Sequence, residues 1–175
     1  MSVEQSQSGE KRSPQVGIVM GSDSDLPVME KAAEILKKFD VPYEMTVASA
    51  HRTPGRAAEF ATTARQRGVR VIIAGAGHAA HLAGAMAAHS TLPVIGVPID
   101  SSAFQGLDAL LSTVQMPPGI PVATVAVGKP GATNAGLLAV QILATVDAEL
   151  AQRLADHRKD MAASVEEKAR GLGHP

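Results

Sequence analysis

The sequence predicts an α/β protein with a doubly wound parallel sheet of about five strands, and three observations lead to this fold class. Short runs of apolar, often β-branched residues recur at fairly even intervals along the 175 residues. Each run is too short for a typical helix, and its continuous apolar character fits a strand that is covered on both faces. Stretches with helical periodicity separate the runs. Strands that alternate with helices form parallel sheets with right-handed crossovers and helices on both sides.

The individual elements follow from these patterns. The predicted strands are 16–20, 43–48, 70–74, 93–98 and 121–127. The predicted helices are 26–39, 54–67, 79–90, 107–115 and 131–154. Helix 54–67 has the clearest ends, because Thr53 can cap it, Pro54 suits its first position and Gly68 can close it. The arrangement predicted is a three-layer α/β/α sandwich of the flavodoxin-like type.

The chain is expected to form one domain over residues 15–155, with a segment of different character at each end. Residues 1–14 are polar, lack the apolar core of a signal peptide and are interpreted as a flexible lead of a cytoplasmic protein. Residues 156–175 are charged, with helical propensity as far as Gly171. This tail is either a solvated helix end or an arm that packs on a neighbouring subunit.

The composition excludes several classes of function. A net charge of −1 without clustered Lys or Arg argues against nucleic acid or an anionic membrane as partner, and no apolar run is long enough to span a bilayer. The absence of Cys removes disulfides, thiolate nucleophiles and cysteine metal sites. Aromatic residues make up only 2%, which argues against stacking of bases or of a flavin ring. Abundant Ala and Gly give helices that bury little area each, which favours a homo-oligomer.

Small, polar and glycine residues follow every predicted strand. In a doubly wound sheet, ligands bind at the carboxyl ends of the strands, so these segments are expected to form one site. They are residues 21–25, 49–54, 75–81, 99–102 and 128–134.

The segment 21–25 (GSDSD) has the character of a phosphate or ribose cradle. Ser22 and Ser24 offer hydroxyls beside backbone N–H groups at a helix start, an arrangement that suits an anion, and Asp25 can accept from sugar hydroxyls. Ordinary helix capping explains the same residues equally well.

The segment 49–54 (SAHRTP) is more specific. Ser49 and Arg52 precede a helix start, so a hydroxyl, a guanidinium and the helix dipole can converge on one phosphate. His51 is suited to giving and taking a proton near neutral pH. The competing interpretation is a helix-capping histidine beside an arginine that pairs with a carboxylate.

The segment 75–81 (GAGHAAH) allows close approach of the backbone to a ligand, since glycine has no side chain. His78 and His81 are three residues apart and could share a helix face. Without an obvious third ligand nearby, we predict no metal site.

Several strings in this order resemble the PurE family of purine biosynthesis, specifically the bacterial N5-carboxyaminoimidazole ribonucleotide mutases. The similarity runs from about Val16 to the region of Asp147. The strings are 19–25 (VMGSDSD), 49–54 (SAHRTP), 73–77 (IAGAG), 79–82 (AAHL), 93–98 (PVIGVP), 115–117 (QMP) and 119–122 (GIPV).

The resemblance implies an isomerase of de novo purine (IMP) biosynthesis that needs no cofactor and no metal. Such an enzyme moves the carboxylate of N5-carboxyaminoimidazole ribonucleotide from the exocyclic nitrogen to carbon 4, by release and recapture of CO2. His51 would be the catalytic proton shuttle. The implied substrate-binding residues are Ser22, Asp25, Ser49, Arg52, Gly75, Ala76, Gly77, His81 and Leu82, of which Ser22, Ser49 and Arg52, together with Ser24, would bind the phosphate. The family forms an octamer with its sites at subunit interfaces.

The sequence departs from the usual family pattern at two positions, since His78 stands where a glycine is usual and Ala83 where a proline is usual. The departure leaves open a related enzyme that carboxylates aminoimidazole ribonucleotide directly with CO2, although the string 79–82 favours the mutase.

Two alternatives of other classes share the fold. A receiver domain of signalling proteins would use Asp23, Asp25 and Lys129, but the third strand is not followed by the required Asp. A carrier of flavin mononucleotide is disfavoured by the scarcity of aromatic residues.

Overall fold

The computed structural model describes residues 12–172 and confirms the predicted fold class. Five parallel strands form one sheet in the order β2-β1-β3-β4-β5. The strands are β1 (Val16–Met20), β2 (Tyr43–Val47), β3 (Val71–Gly77), β4 (Val94–Ile99) and β5 (Ala123–Thr124). The order reverses between β1 and β3, so the crevice expected in a doubly wound sheet lies at the carboxyl ends of these two central strands.

Six α-helices cover the sheet in the described part of the chain. They are α1 (Leu26–Lys38), α2 (Pro54–Thr63), α3 (Leu82–His89), α4 (Leu107–Val114), α5 (Gly128–Ala144) and α6 (Ala148–Gly171). Helices α1 and α5 share one apolar cluster with β1, β3 and β4. Helices α2 and α3 belong to the cluster on the other face. The three-layer sandwich is therefore present as predicted.

Several predicted elements differ from the structure. Helix 54–67 is divided into α2, which ends at Thr63, and a 3-10 turn, Arg65–Arg67, that Gly68 closes in the left-handed conformation. Helix 79–90 begins only at Leu82. The single helix 131–154 was wrong, because α5 ends at Ala144 and α6 begins at Ala148. Asp147 has an extended backbone and its carboxylate accepts from the N–H of Leu150 at 2.9 Å, so it caps a new helix. The fifth strand is reduced from residues 121–127 to two residues that pair with Ile95 and Gly96 at the sheet edge.

The third strand is longer than predicted and includes the glycines that were assigned to a loop. Gly75, Ala76 and Gly77 pair with β4 opposite Val97, Pro98 and Ile99. A side chain at Gly75 would collide with Met29 of α1. Glycine therefore lets the strand continue beneath a close-packed helix instead of ending it.

The two end segments are only partly described. Residues 1–11 of the predicted lead and residues 173–175 of the predicted tail lie outside the described range. Arg12 pairs with the Asp40 carboxylate at 2.5 Å, and this ion pair holds the pKa of Asp40 below its usual range. Helix α6 crosses the expected boundary at residue 155 and ends at Gly171, where its helical propensity was expected to end. None of the helices in residues 12–172 combines the length and the apolar character needed to cross a bilayer.

Candidate active site

A cavity of about 550 Å³ lies at the carboxyl ends of the central strands. Its lining comes from the end of β3 and from the segments after β1, β2, β3 and β4, as expected. The segment 128–134, which was also expected at the site, forms the start of α5 and contributes no lining residue. The lining residues are Gly21, Ser22, Ser24, Asp25, Ser49, Ala50, His51, Arg52, Ala76, Gly77, His78, Ala79, His81, Leu82 and Ser101. A larger cavity of about 920 Å³ between α2, α3 and the segment before β5 contains none of these residues.

The segment after β1 forms a single 3-10 turn, Asp23–Asp25, that leads into α1. The Ser22 hydroxyl accepts from the N–H of Ser24 at 3.4 Å, and the Asp25 carboxylate accepts from the N–H of Ser22 at 3.1 Å. These reciprocal bonds form a capping box, so the capping function considered from the sequence is present. The Ser22 and Ser24 hydroxyls, 3.0 Å apart, still line the cavity.

Asp25 is the buried charge of the site, with only 5% of its surface exposed. Burial raises the pKa of its carboxyl, because the charged form loses solvation. Backbone N–H groups and the nearby Arg52 and His78 act against this shift. Asp25 therefore carries a carboxylate whose protonation responds to positive groups in the same cavity.

The segment after β2 is held by a small set of local bonds. The Ser49 hydroxyl accepts from the N–H of Arg52 at 3.1 Å, and the Thr53 hydroxyl accepts from the N–H of Ser49 at 2.9 Å. The Arg52 guanidinium donates to the Gly21 carbonyl at 2.7 Å and so connects the ends of β1 and β2. The expected carboxylate partner of this arginine is replaced by a backbone carbonyl, with Asp25 within electrostatic range.

His51 and His81 are in direct contact, which sequence patterns did not predict. The Nε2 atom of His51 lies 2.9 Å from the Nδ1 atom of His81, and the rings meet edge to face at 5.0 Å between centroids. At this distance one nitrogen must donate a proton and the other must accept it. The tautomers of the two rings are therefore coupled, because a donor on one requires an acceptor on the other.

His78 forms a second imidazole contact on the other side of the cavity. Its Nδ1 atom lies 3.2 Å from the Ser101 hydroxyl, which follows β4. Ser101 belongs to the segment 99–102 that was expected at the site, but the sequence assigned no individual role to it. Gly77, the last residue of β3, lies next to Ser101. A Cβ at Gly77 would collide with the Ser101 hydroxyl, so there is no room for a side chain at that position.

The cavity brings together all but one of the residues that the family resemblance assigned to the site. Gly75 is the exception, since it is buried against Met29 and does not line the cavity. No Phe, Tyr or Trp of the described residues lines this cavity. Within residues 12–172, His, Asp and Glu side chains form no group of three that could hold a metal ion.

Comparison with known proteins identifies the family of the chain. Residues 15–164 match the family model described as AIR carboxylase. The N5-carboxyaminoimidazole ribonucleotide mutase of Pyrococcus horikoshii is 61% identical over 159 residues, which cover 91% of this chain and 89% of that protein. The protein of the same name from Bacillus subtilis is 57% identical over 156 residues, 89% of this chain and 96% of that protein.

Two further comparisons widen the range of relatives. The phosphoribosylaminoimidazole carboxylase of Candida albicans is 54% identical over 163 residues, which cover 93% of this chain but only 28% of that protein. The crystal structure of Treponema denticola PurE has a TM-score of 0.83 and 31% identity, and covers 92% of this chain and 99% of that one.

Proposed function

Because the chain belongs to the AIR carboxylase, or PurE, family, we propose that this enzyme isomerises N5-carboxyaminoimidazole ribonucleotide to 4-carboxy-5-aminoimidazole ribonucleotide, with His51 as its proton shuttle. One observation carries the assignment of His51. Its imidazole lines the same cavity as the serine cradle, Ser49 and Arg52, and contacts a second titratable ring, His81. The site therefore combines a proton carrier, an anion-binding corner and a cavity of about 550 Å³, which are the features that this isomerisation needs.

The proton balance of the reaction requires one group that both gives and takes a proton. When the carbamate N–C bond breaks and CO2 leaves, the exocyclic nitrogen gains a proton. When carbon 4 attacks CO2 to form the new C–C bond, carbon 4 loses a proton. His51 supplies the first proton and removes the second, so the isomerisation has no net proton change. The Nδ1 atom of His81 contacts the Nε2 atom of His51, so the tautomer of the shuttle is coupled to that of His81.

The anionic ribose phosphate is assigned to the corner between β1 and β2. Arg52 provides the positive charge, and Ser49, Ser22 and Ser24 provide hydroxyls. Their present hydrogen bonds are to one another, to nearby backbone and to the exposed Asp23 carboxylate, so a phosphate can replace several of them without opening the fold. Asp25 would accept from a ribose hydroxyl beside this corner.

The imidazole and the transient CO2 are assigned to the wall formed after β3. Ala76, Gly77 and Leu82 contribute small or apolar surface there. Such a wall holds CO2 near carbon 4 and offers no competing nucleophile. Gly75, although predicted to bind substrate, would act indirectly by allowing β3 to pass beneath Met29.

Direct carboxylation of aminoimidazole ribonucleotide is the second candidate reaction, since the relative in Candida albicans is called a carboxylase. The high identity to several proteins called mutases favours the isomerisation. The deciding experiment compares kcat/KM with N5-carboxyaminoimidazole ribonucleotide against kcat/KM with aminoimidazole ribonucleotide and bicarbonate. We expect a strong preference for the first substrate, and a preference for the second pair would transfer the assignment to the carboxylase.

Assembly into a homo-octamer is proposed together with this function. Helix α4 and the turn before it expose an apolar stripe, Phe104, Leu107, Leu111 and Val114, in which Phe104 is 70% exposed. The outer half of α6 exposes Met161 and Val165. Exposed apolar side chains at helical spacing are typical of surfaces that a further subunit covers. Light scattering of the purified protein should give a mass near eight chains, and a monomer mass would contradict the proposal. The cytoplasmic location stays a prediction of the sequence.

A further inference from the structure

His78 is a titratable residue of the cavity to which the proposed proton transfer gives no role. Its backbone has a φ of 54°, in the left-handed region that glycine adopts most readily. A histidine in this conformation is strained relative to glycine, so the fold alone does not favour a bulky side chain here. The imidazole is nevertheless placed in the cavity wall.

The His78 ring is oriented by a residue that follows the neighbouring strand, β4. Its Nδ1 atom lies 3.2 Å from the Ser101 hydroxyl, which follows β4. Ser101 can approach only because Gly77 lacks a Cβ, which would otherwise occupy the position of its hydroxyl. When the Ser101 hydroxyl donates to Nδ1, the ring carries its proton on Nε2. No side chain of residues 12–172 hydrogen-bonds to that Nε2 atom, which leaves this N–H for a ligand.

The position of His78 separates it from the corner assigned to the phosphate. The phosphate corner is formed by groups that follow β1 and β2, whereas His78 follows β3 and its ring contacts Ser101, which follows β4. The ends of β2 and β3 are two strand spacings apart, roughly 10 Å. The cavity therefore has one anion-binding corner between β1 and β2 and a separate imidazole donor between the ends of β3 and β4, with the buried Asp25 carboxylate within electrostatic range of Arg52 and His78.

We propose that His78 is a substrate-contacting residue whose Nε2–H binds the carboxylate that the enzyme moves. This inference rests on the proposed function, which supplies a substrate with two separate anionic groups. An N–H donor binds a charged carboxylate more strongly than neutral CO2. His78 therefore holds the carboxylate of the substrate and of the product, and releases it as CO2 forms. Ser101 is the positioning residue that aims the ring.

The test measures binding of two ligands that differ only in the carboxylate, by isothermal titration calorimetry on the whole chain. They are 4-carboxy-5-aminoimidazole ribonucleotide and aminoimidazole ribonucleotide. For His78→Gly we expect the first to bind about tenfold more weakly and the second within about twofold of wild type, as for the loss of one hydrogen bond to a charged group. The glycine suits the left-handed backbone, so this variant should fold at least as well as wild type.

Two further variants make the result specific. Asparagine tolerates the same backbone and keeps a neutral donor, so His78→Asn should weaken binding of the carboxylated ligand less than His78→Gly does. Ser101→Ala should raise KM for the carboxylated substrate with a smaller change in kcat, because the ring remains but is no longer aimed. His89→Asn, an exposed histidine at the end of α3 outside this cavity, is the matched control and should bind both ligands as wild type does.

Each other outcome contradicts the inference. Equal weakening of both ligands would assign His78 to the phosphate or the ribose, and unchanged binding of both would remove it from the site. The wild-type enzyme serves as a separate check on the proposed function. If wild type fails to interconvert the two carboxylated ribonucleotides, the isomerase proposal is wrong, whereas normal wild-type turnover with unchanged binding by His78→Gly contradicts the present inference alone.

Discussion

The layer that α1 and α5 form on the sheet and the cavity at the carboxyl edge of the same sheet are built on opposite principles. In the helical layer, side chains are held by contact on all sides. Gly136 of α5 lies so close to α1 that a Cβ there would be 2.8 Å from the Ile35 Cβ and 2.9 Å from the Ala32 carbonyl oxygen. At the cavity, exposed polar side chains are held by single bonds, such as those between His51 and His81 or between His78 and Ser101.

Stability and chemistry therefore reside in different parts of this molecule. A side chain in the helical layer contributes through buried apolar area and close packing, so its loss leaves a hole. A side chain at the cavity edge makes bonds that water can replace at little cost, because both partners are exposed. Substitutions in the two regions should therefore separate, one set lowering stability and the other lowering turnover.

The largest expected effect tests the cavity side of this contrast. His51→Asn should lower kcat by about a thousandfold or more, within the range for loss of a general acid–base group. Substrate should still bind, since Arg52 and the serine hydroxyls remain, and the midpoint of urea unfolding should stay close to wild type. Steady-state kinetics together with equilibrium binding measure both effects, with His89→Asn as the control. Near-normal turnover would refute the role of His51.

The next effect tests the helical layer. Leu36 of α1 is 0% exposed, and Leu36→Ala should lower the free energy of unfolding by about 3 kcal/mol through the loss of buried methyl groups and the cavity left behind. Urea unfolding at one fixed protein concentration measures this change. The turnover number of the folded variant should remain within about twofold of wild type if the contrast holds.

A matched control distinguishes the position of the leucine from its chemistry. Leu172 follows the end of α6 and is 76% exposed, so Leu172→Ala should change the free energy of unfolding by no more than about 0.5 kcal/mol. A large loss of turnover in Leu36→Ala without loss of stability would show that the helical layer transmits to the cavity, and the contrast would then fail.

The elements predicted correctly from the sequence are those whose physical signal is local and repeated along the chain. Buried parallel strands carry continuous apolar runs, so the bounds of the first, second and fourth strands were confirmed to within a residue. The location of the site followed from topology, because parallel strands end at one edge. The break at Asp147 was missed although Asp is a common helix cap, since the apolar helical pattern continues on both sides of it.

The contacts within the cavity could not be predicted in the same way. His51 and His81 are thirty residues apart, and their contact depends on the course of two loops and two rotamers. The left-handed backbone of His78 has no signal in its residue type, because glycine is the residue expected there. The space for Ser101 depends on the missing side chain of Gly77, a relation between strands that periodicity does not encode.

The smallest effect concerns Asp25, which is buried as deeply as the core although it belongs to the cavity. In the folded state the pKa of its carboxyl is raised above the usual 3.8. Its favourable contribution to the free energy of unfolding is therefore fully present below about pH 3.8 and is lost as pH rises through the raised pKa. Asn can still accept from the N–H of Ser22 and carries no charge to desolvate. Asp25→Asn should therefore be as stable as wild type or slightly more stable at pH 7, and this difference should shrink as pH falls toward 4.

Melting temperatures measured between pH 4 and pH 8 check this expectation. The control is Asp23→Asn, which makes the same change at an exposed aspartate of the same turn. If Asp25→Asn is less stable than wild type by the same margin at every pH, the carboxylate supports the fold through geometry rather than charge. If the variant gains stability but binds substrate more weakly, the requirements of folding and of substrate binding conflict at Asp25. The Asp25 carboxylate would then destabilise the fold at neutral pH and be retained because the ligand requires it. This is the pattern expected where binding is maintained at the expense of stability.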